Sequence, residues 1–314
     1  MRNGAAERTV WLRVDVDSYV GARDGLPRLL ETLARHKARA TFFVNVGPDR
    51  WGRAVLRVIR RPGFLRKMLR TGAVKTYGLS TCLRGTLLPS VEIGTRVRDG
   101  LRRIREENHE VALHCWDHII WQDDLSKLSA DQIRTQVERG ADAFRAIYDE
   151  DPHAWAAPGW VSTPTALEVL DDFGFDWMSN SRGHAPFIPI VDGRELQTVD
   201  LPTTLPTLDE ELGRDGIDAT NYVDRLVDQI ADLDCPLLVI HTETEGGHYR
   251  AQLEDLLARG RDRGWTFREL GGLALEALAH RDALPRCDIR YAEIPGRAGD
   301  VTIQGRDRVD GADS

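Results

Sequence analysis

The chain has 314 residues and a mass of 35.3 kDa, which is room for one large domain or two small ones around a buried core. Its hydrophobic content of 41% and charged content of 29% exclude a disordered chain, and its net charge of −8 argues against nucleic-acid binding. Four scattered cysteines, a polar start and no long apolar run predict a cytoplasmic protein without a disulfide scaffold, a cysteine-type zinc site or a spanning helix.

Short β-type runs alternate with longer helical patterns along most of the sequence. The predicted strands are 10–16, 40–46, 110–114, 154–157, 175–179, a short piece at Val199, 236–241 and 265–267. The predicted helices are 26–36, 92–107, 129–148, 164–173, 222–233 and 249–263. This alternation predicts a single α/β domain over residues 1–280, built as a mainly parallel sheet or a (β/α) barrel. Residues 281–314 are predicted to be a C-terminal extension that is disordered from Arg297 onward.

Three predicted strands carry unusual polar side chains at their carboxyl ends. The first ends at Asp15 and Asp17, the third at His114 with His118 four residues on, and the strand at 236–241 ends at His241. In barrels, catalytic residues lie at these strand ends. One carboxylate and two imidazoles can hold a transition metal with open positions, while the remaining groups can move protons. Together they predict metal-assisted hydrolysis of an amide or an ester.

Each part of this pattern also has an ordinary structural explanation. Asp-x-Asp after a strand is often a turn, and two histidines four residues apart occur by chance. A histidine that ends a buried strand is usually a hydrogen-bonded core residue. The agreement of three separate strand ends favours the catalytic interpretation.

These residues resemble three motifs of a known family. The segments Arg13-Val14-Asp15-Val16-Asp17, His114-Cys115-Trp116-Asp117-His118 and Leu238-Val239-Ile240-His241 are similar to the first, second and fifth motifs of the NodB-homology polysaccharide deacetylases. The resemblance implies a distorted (β/α) barrel of about seven strands that binds one divalent metal ion, either zinc, cobalt, manganese or nickel. It implies that Asp17, His114 and His118 hold the metal, that Asp15 is the catalytic base and that His241 is the general acid.

A closer resemblance is to one branch of this family, and its segments run in the same order from about residue 10 to residue 270. They are 21–27, 43–49, 114–118, 157–160, 181–183, 201–207 and 241–246. That branch consists of deformylases that act on a formamido-arabinose linked to undecaprenyl phosphate, in lipid A modification and polymyxin resistance. The resemblance implies this lipid-linked sugar as the substrate, with formate and the 4-amino sugar lipid as products.

Two departures from the wider family affect the expected site. The third motif has no arginine to orient the base, and we predict that Arg182 supplies this guanidinium instead. Asn180 stands where the fourth motif usually has an aspartate. The further candidates for substrate contacts are Arg182, Trp160, Glu243 and Glu245, although a solvated loop accounts equally well for the two glutamates.

The charge of the chain is unevenly distributed. Residues 50–91 contain ten Lys or Arg and no acidic residue, so the rest of the chain carries 32 basic and 50 acidic side chains. Apolar positions at helical spacing predict two short basic amphipathic helices in an insertion at about 50–90. These are either surface helices with solvated arginines or a basic surface for an anionic membrane. The predicted membrane-binding residues are Trp51, Arg53, Arg57, Ile59, Arg60, Phe64, Arg66, Lys67 and Arg70.

The membrane interpretation agrees with the substrate that the resemblance implies. A polyprenyl-phosphate-linked sugar stays in the bilayer, so we expect a peripheral protein on the inner face of the cytoplasmic membrane. Two alternatives stay open, namely an N-deacetylase of another amino sugar or polysaccharide, and a non-catalytic membrane- or carbohydrate-binding barrel. The lack of a signal peptide argues against an exported deacetylase, and the complete five-residue site argues against a non-catalytic barrel.

Overall fold

The computed structural model describes residues 8–56, 85–86 and 88–307. Its strands are β1 (Arg8–Val16), β2 (Thr41–Asn45), β3 (Pro48–Asp49), β4 (Val91–Glu92), β5 (Glu110–Cys115), β6 (Ala154–Trp155), β7 (Trp177–Met178), β8 (Ile188–Val191), β9 (Arg194–Glu195), β10 (Val199–Asp200), β11 (Leu237–His241), β12 (Trp265–Arg268), β13 (Arg286–Glu293) and β14 (Asp300–Asp307). Its α-helices are α1 (Leu26–His36), α2 (Ile93–Arg96), α3 (Arg98–Glu106), α4 (His118–Asp124), α5 (Ala130–Tyr148), α6 (Pro164–Phe173), α7 (Leu208–Glu211), α8 (Tyr222–Asp232), α9 (Arg250–Asp262) and α10 (Leu270–Ala279).

Eight of these strands form one parallel sheet. The strand order is β10-β7-β6-β5-β2-β1-β11, and β12 pairs with the first half of β1. The sheet closes beyond β10, because the amides of Thr204 and Leu205 donate to the Leu237 carbonyl of β11 at 3.3 and 3.2 Å. The prediction of a distorted (β/α) barrel of about seven strands is therefore confirmed.

Helices cover the outside of this sheet with continuous apolar faces. On α1, residues at positions i, i+3, i+4 and i+7 are completely buried, which is the spacing of one helical face. Helix α5 begins with a capping box, in which the Ser129 side chain accepts from the Gln132 amide and the Gln132 side chain accepts from the Ser129 amide. The strands in turn are buried on both faces, and β1 is buried from Val10 to Val16. A polar side chain at a strand end is therefore held in a rigid frame.

The C-terminal residues form a second, smaller sheet, in the order β14-β13-β8-β9. Strand β13 pairs with β8 in parallel and with β14 in antiparallel register, so the β13–β14 hairpin is attached to the rest of the chain through β8. The prediction of disorder from Arg297 onward is wrong for residues 297–307, because β14 pairs with β13, which in turn pairs with β8. Residues 308–314 of the predicted extension lie outside the described residues.

The base of the predicted insertion is part of the described structure. Strands β3 and β4 pair across it, with Pro48 opposite Glu92. Trp51 begins a 3-10 turn (Trp51–Leu56), and the exposed Arg53 side chain donates to the Gly85 carbonyl. The other predicted membrane-binding residues lie outside the described residues, namely Arg57, Ile59, Arg60, Phe64, Arg66, Lys67 and Arg70. Within the described part of the chain, no helix combines the length and the apolar composition needed to cross a bilayer.

Candidate active site

Five predicted site residues meet at the carboxyl edge of the parallel sheet. Asp15 and Asp17 come from the end of β1, His114 from β5, His118 from the start of α4 and His241 from the end of β11. Strands β1 and β11 are paired with Asp15 directly opposite His241. The topology therefore places the two carboxylates and the three imidazoles around one point, as the strand-end pattern predicts.

Asp17, His114 and His118 form a cluster suited to a divalent cation. One ligand atom from each lies within 4.8 Å of the other two, and all three side chains are buried. Nε2 of His114 is 3.3 Å from Oδ1 of Asp17, and these two atoms have no hydrogen-bond partner among the described residues. Buried polar atoms are normally satisfied, so this donor set fits a cation that leaves coordination positions open for reactants. Burial alone would raise the pKa of Asp17, but the two histidines outweigh it and hold that pKa well below its usual range.

Hydrogen bonds behind the cluster fix the ring of His114 and the backbone at His118. Nδ1 of His114 is 2.8 Å from the Ala156 carbonyl oxygen, which makes Nδ1 the protonated nitrogen and leaves Nε2 free to bind a cation. His118 is the first residue of α4, and Asp117 caps this helix by accepting from the amides of Ile119 and Ile120 at 3.2 and 3.1 Å. The turn between β5 and α4 is therefore fixed at the point where it presents His118.

Arg13 holds the predicted catalytic base. Its Nε and Nη2 each donate to one oxygen of Asp15 at 2.7 Å, and its Nη1 donates to the Ser179 carbonyl at 2.8 Å. The guanidinium is fully buried and lies 5.0 Å from the ring centre of Phe43 and 5.7 Å from that of Trp160. A two-point ion pair of this kind fixes both the position and the plane of the carboxylate.

The prediction that Arg182 orients the base is wrong, because Arg13 occupies that place. Arg182 instead donates from Nη1 to both oxygens of Glu210 at 2.9 Å, and from Nη2 to the Leu205 carbonyl. The sequence contained a signal for Arg13 that we missed. Alternate residues of a strand share a face, so Arg13 had to lie beside Asp15, and a buried arginine needs a carboxylate partner.

His241 faces the cluster from the opposite side of β1. Burial alone would lower the pKa of His241, but the negative charges of Asp17, Asp15 and Glu245 outweigh it and raise that pKa above its ordinary value. Glu245 also anchors the histidine, because its Oε2 accepts from the His241 amide at 2.9 Å. This environment favours the imidazolium form, which can donate a proton.

Comparison with known proteins identifies the family. The model of the polysaccharide deacetylase family matches residues 2–178. The chain belongs to the polysaccharide deacetylase family. It is therefore an amide hydrolase that cleaves a carbon–nitrogen bond.

Two relatives align with nearly the whole chain. A Shewanella sediminis (strain HAW-EB3) protein is 35% identical over 296 residues, which cover 94% of each chain. A Wigglesworthia glossinidia brevipalpis protein is 31% identical and covers 91% of this chain and 98% of its own. Both are named as 4-deoxy-4-formamido-L-arabinose-phosphoundecaprenol deformylase ArnD.

Solved structures share the fold of this deacetylase-family chain. A Mycobacterium smegmatis protein assigned as a polysaccharide deacetylase has a TM-score of 0.62 at 17% identity, covering 94% of this chain and 97% of its own. The allantoinase PuuE has a TM-score of 0.61 at 14% identity, with coverages of 88% and 92%. Because these neighbours are named for different substrates, the fold by itself does not choose one.

The predicted substrate contacts Glu243 and Glu245 are bonded to protein groups. Oε1 of Glu243 accepts from the amide and the hydroxyl of Ser18 at 2.7 and 2.6 Å, next to Asp17. Burial and the charge of Asp17 raise the pKa of Glu243 to about 7. Both glutamates are buried, with 7% and 4% exposure, so neither lies in a solvated loop. Glu243 therefore holds the backbone next to Asp17, and Glu245 holds the backbone of His241.

Glycines allow the two loops of the site to pack backbone to backbone. The π-helical turn Gly21–Gly25 after β1 packs against the π-helical turn Thr244–His248 after β11. A Cβ on Gly25 would overlap the carbonyl oxygen of Thr242, the residue after His241. This close approach is what brings the loops carrying Asp17 and His241 together.

Asn180 and Trp160, two other positions singled out from the sequence, line the neighbouring strand ends. The side-chain oxygen of Asn180 accepts from the Ala157 amide at 2.9 Å, so this buried residue joins the ends of β6 and β7. The backbone amide of Asn180 donates to the carboxylate of Asp200. Burial raises the pKa of Asp200 to about 7. Trp160 is buried and donates from Nε1 to the Thr203 hydroxyl at 2.9 Å.

We call residues 116–118, which join β5 to α4 and end at the candidate ligand His118, the metal-binding loop. The base of the insertion contacts this loop directly, which the sequence did not indicate. Nη1 of Arg50 donates to Oδ2 of Asp117 at 2.6 Å, and Asp117 is 1% exposed. The Trp51 ring stacks on the His118 ring at 5.9 Å between centres. The insertion therefore begins as one wall of the site of this family member.

Proposed function

We propose that this protein is a metal-dependent deformylase that removes the formyl group from a formamido-arabinose carried on undecaprenyl phosphate. The observation that supports the proposal is that Asp15, held by Arg13, and His241, its register partner on β11, lie at the same sheet edge as the buried Asp17–His114–His118 cluster. The two relatives that align over more than nine tenths of the chain support the choice of substrate, since both are named for it.

The cofactor in this proposal is one divalent cation bound by Asp17, His114 and His118. When bound, it supplies Lewis-acid polarisation of the formyl oxygen and lowers the pKa of a water molecule. The unpartnered ligand atoms and the mixed carboxylate and imidazole donors suit zinc, cobalt, manganese or nickel alike.

The protein residues move two protons in opposite directions. Asp15 accepts a proton from the attacking water as its oxygen adds to the formyl carbon, and Arg13 keeps the accepting carboxylate aimed at that water. His241 then donates its proton to the sugar nitrogen while the carbon–nitrogen bond breaks. The net reaction adds one water to the formamide and yields formate and the free 4-amino group.

The proposed site of action is the inner surface of the cytoplasmic membrane. A substrate with an undecaprenyl chain stays in the bilayer, and the ten basic residues of segment 50–91 supply attraction to anionic lipid. The described start of this segment, at Arg50 and Trp51, lies against the metal-binding loop. Binding of the segment to a membrane would therefore bring the site to the plane of the lipid phosphates.

The test is mass spectrometry of a formamido-arabinose polyprenyl phosphate after incubation with the purified chain, with and without a chelator. We expect loss of one formyl group with release of formate, which stops with chelator and returns with added divalent metal. An N-acetyl analogue is the matched control. Release of acetate at an equal or higher rate, or an unchanged formyl substrate, would refute the proposal.

A further inference from the structure

Two arginines from distant parts of the chain meet on one indole ring. The guanidinium carbons of Arg182 and Arg297 lie 4.8 and 4.6 Å from the ring centre of Trp160. Arg182 follows β7 and Trp160 follows β6, so both stand at the carboxyl edge of the parallel sheet. Arg297 lies between β13 and β14, and the C-terminal hairpin thereby contributes to the same edge as the catalytic groups.

The two guanidinium groups share a single carboxylate. Glu210 accepts from Arg182 at 2.9 Å and from Arg297 at 3.3 Å, and its side chain is 3% exposed. Among the described residues, neither arginine has an ion pair with a second acid, so one positive charge is left without a counter-charge. The two arginine side chains are only 13% and 11% exposed. A partly desolvated guanidinium whose positive charge is not neutralised by an acidic side chain binds phosphate oxygens strongly.

The backbone under Arg297 is held in an unusual conformation. Gly159 has a φ of 60° and Trp160 a φ of 55°, which for a tryptophan is the strained left-handed region. A Cβ on Gly159 would overlap Nε2 of Gln122 and lie 3.1 Å from Nη2 of Arg297, so the glycine makes room for both side chains. Strain of this kind persists where the surroundings maintain it, and such positions concentrate at binding sites.

The arginine pair contacts the same indole ring as Arg13, the residue that holds the proposed base Asp15. The Arg13 guanidinium, which holds Asp15, is 5.7 Å from the centre of the Trp160 ring that also contacts Arg182 and Arg297. The substrate proposed above carries its amide and its phosphate on opposite sides of one pyranose ring, so its phosphate would lie near the base but apart from it. The single free positive charge matches the single negative charge of a phosphodiester.

We propose that Arg182 and Arg297 bind the phosphodiester of the lipid-linked sugar, and that Arg297 is thereby a specificity-determining residue supplied by the C-terminal hairpin. This inference rests on the function proposed above. The shared chemistry is a phosphate monoanion, which a substrate or a membrane headgroup could each present, and the experiment separates these two sources.

The experiment compares two substrates in detergent micelles, a formamido-arabinose linked to a short polyprenyl phosphate and the same sugar as a neutral alkyl glycoside. For Arg297→Ala, we expect KM for the phosphate-bearing substrate to rise by about 10- to 100-fold with a smaller change in kcat. The ratio of kcat/KM for the two substrates should fall at least tenfold. Arg297→Lys, which keeps the charge, should restore part of this ratio. Arg306→Ala, an exposed arginine on β14, is the control.

Equal losses on the two substrates would overturn the inference, because a structural ion pair affects both alike. If Arg297→Ala fails to fold, Arg297→Gln keeps the side-chain stem and provides the same comparison. A wild-type chain that hydrolyses neither substrate refutes the proposed deformylase function instead. Binding of Arg297→Ala to phosphatidylglycerol vesicles should equal that of wild type. A loss of vesicle binding with an unchanged substrate ratio would assign the arginines to membrane headgroups and also overturn the inference.

Discussion

Arg13 and Asp15, two residues apart on β1, form an ion pair in which both N···O distances are 2.7 Å. One buried strand thus supplies both the proposed base and the group that orients it. The wider family that the sequence resembles takes this arginine from its third motif. The fold tolerates the change because the strand pleat places alternate side chains on one face.

Replacing Arg13 with lysine tests whether Asp15 needs the two-point geometry of the guanidinium or only its positive charge. Arg13→Lys keeps the positive charge but loses the planar fork, so Asp15 is left free to rotate. We expect kcat to fall by about 100-fold, at the low end of a general-base contribution, with metal content unchanged. Steady-state kinetics and metal analysis of the purified variant would measure both. Arg39→Lys, an exposed residue, is the matched control, and a wild-type kcat in Arg13→Lys would contradict the assigned role.

The proposed roles of the five clustered residues divide into metal binding and proton transfer, and this division is testable. Asp17→Asn, His114→Ala and His118→Ala should each lower metal affinity, because each removes a ligand atom. Asp15→Asn and His241→Ala should retain the metal and lose turnover by at least about 100-fold. Calorimetric titration with zinc, paired with formate release, distinguishes the two groups. Normal metal affinity in all three ligand variants would exclude the assigned site.

The alkaline side of the pH–rate profile reports on His241. A general acid works while protonated, so the rate falls as the pH rises through its pKa. The Glu245 carboxylate is one of the charges that raise the pKa of His241. Glu245→Gln removes that charge and keeps an acceptor for the His241 amide, so the alkaline limb should move to lower pH.

The control for this experiment is Asp228→Asn, which removes an exposed charge on α8 and should leave the profile in place. Measuring kcat against pH for wild type and both variants is sufficient. If the alkaline limb of the Glu245→Gln profile stays at the wild-type pH or moves to higher pH, a group other than His241 controls that limb.

Local signals account for what the sequence predicted well. Helix α6 has the predicted bounds, because the Thr163 side chain caps its start, proline occupies its first position and Gly174 ends it at a φ of 87°. The strand-end cluster was likewise visible, since chemistry concentrated at strand ends is a repeated local pattern. These features depend on residues that are near one another in the chain.

Long-range pairing explains what the sequence did not reveal. Strand β13 is exposed in its second half and has no long apolar run, and it is ordered by pairing with β8, about a hundred residues earlier. The partner of Arg182 is Glu210, and the contacts of Arg50 and Trp51 with the metal-binding loop join segments that the sequence separates widely. The hydrophobic periodicity of the sequence does not predict such contacts, because they form only when the barrel closes and brings distant segments together.

The contact of Arg50 and Trp51 with the metal-binding loop changes how membrane binding should be tested. Deleting the whole of residues 50–90 would remove these contacts and damage the site, so a loss of activity would be uninformative. A sharper variant keeps both residues and replaces five basic side chains further along the segment with glutamine. The replaced residues are Arg57, Arg60, Arg66, Lys67 and Arg70.

This variant should lose binding to anionic vesicles while it still hydrolyses a water-soluble formamido sugar. Each basic residue near an anionic leaflet contributes about 1 kcal/mol, so five neutralisations should lower vesicle affinity by several orders of magnitude. Co-sedimentation with phosphatidylglycerol vesicles measures the loss. The control carries five neutralised exposed arginines at other places on the surface, namely Arg139, Arg261, Arg263, Arg268 and Arg306. Because both variants change the net charge equally, equal vesicle binding by the two would mean that total charge, and not this segment, governs association with the membrane.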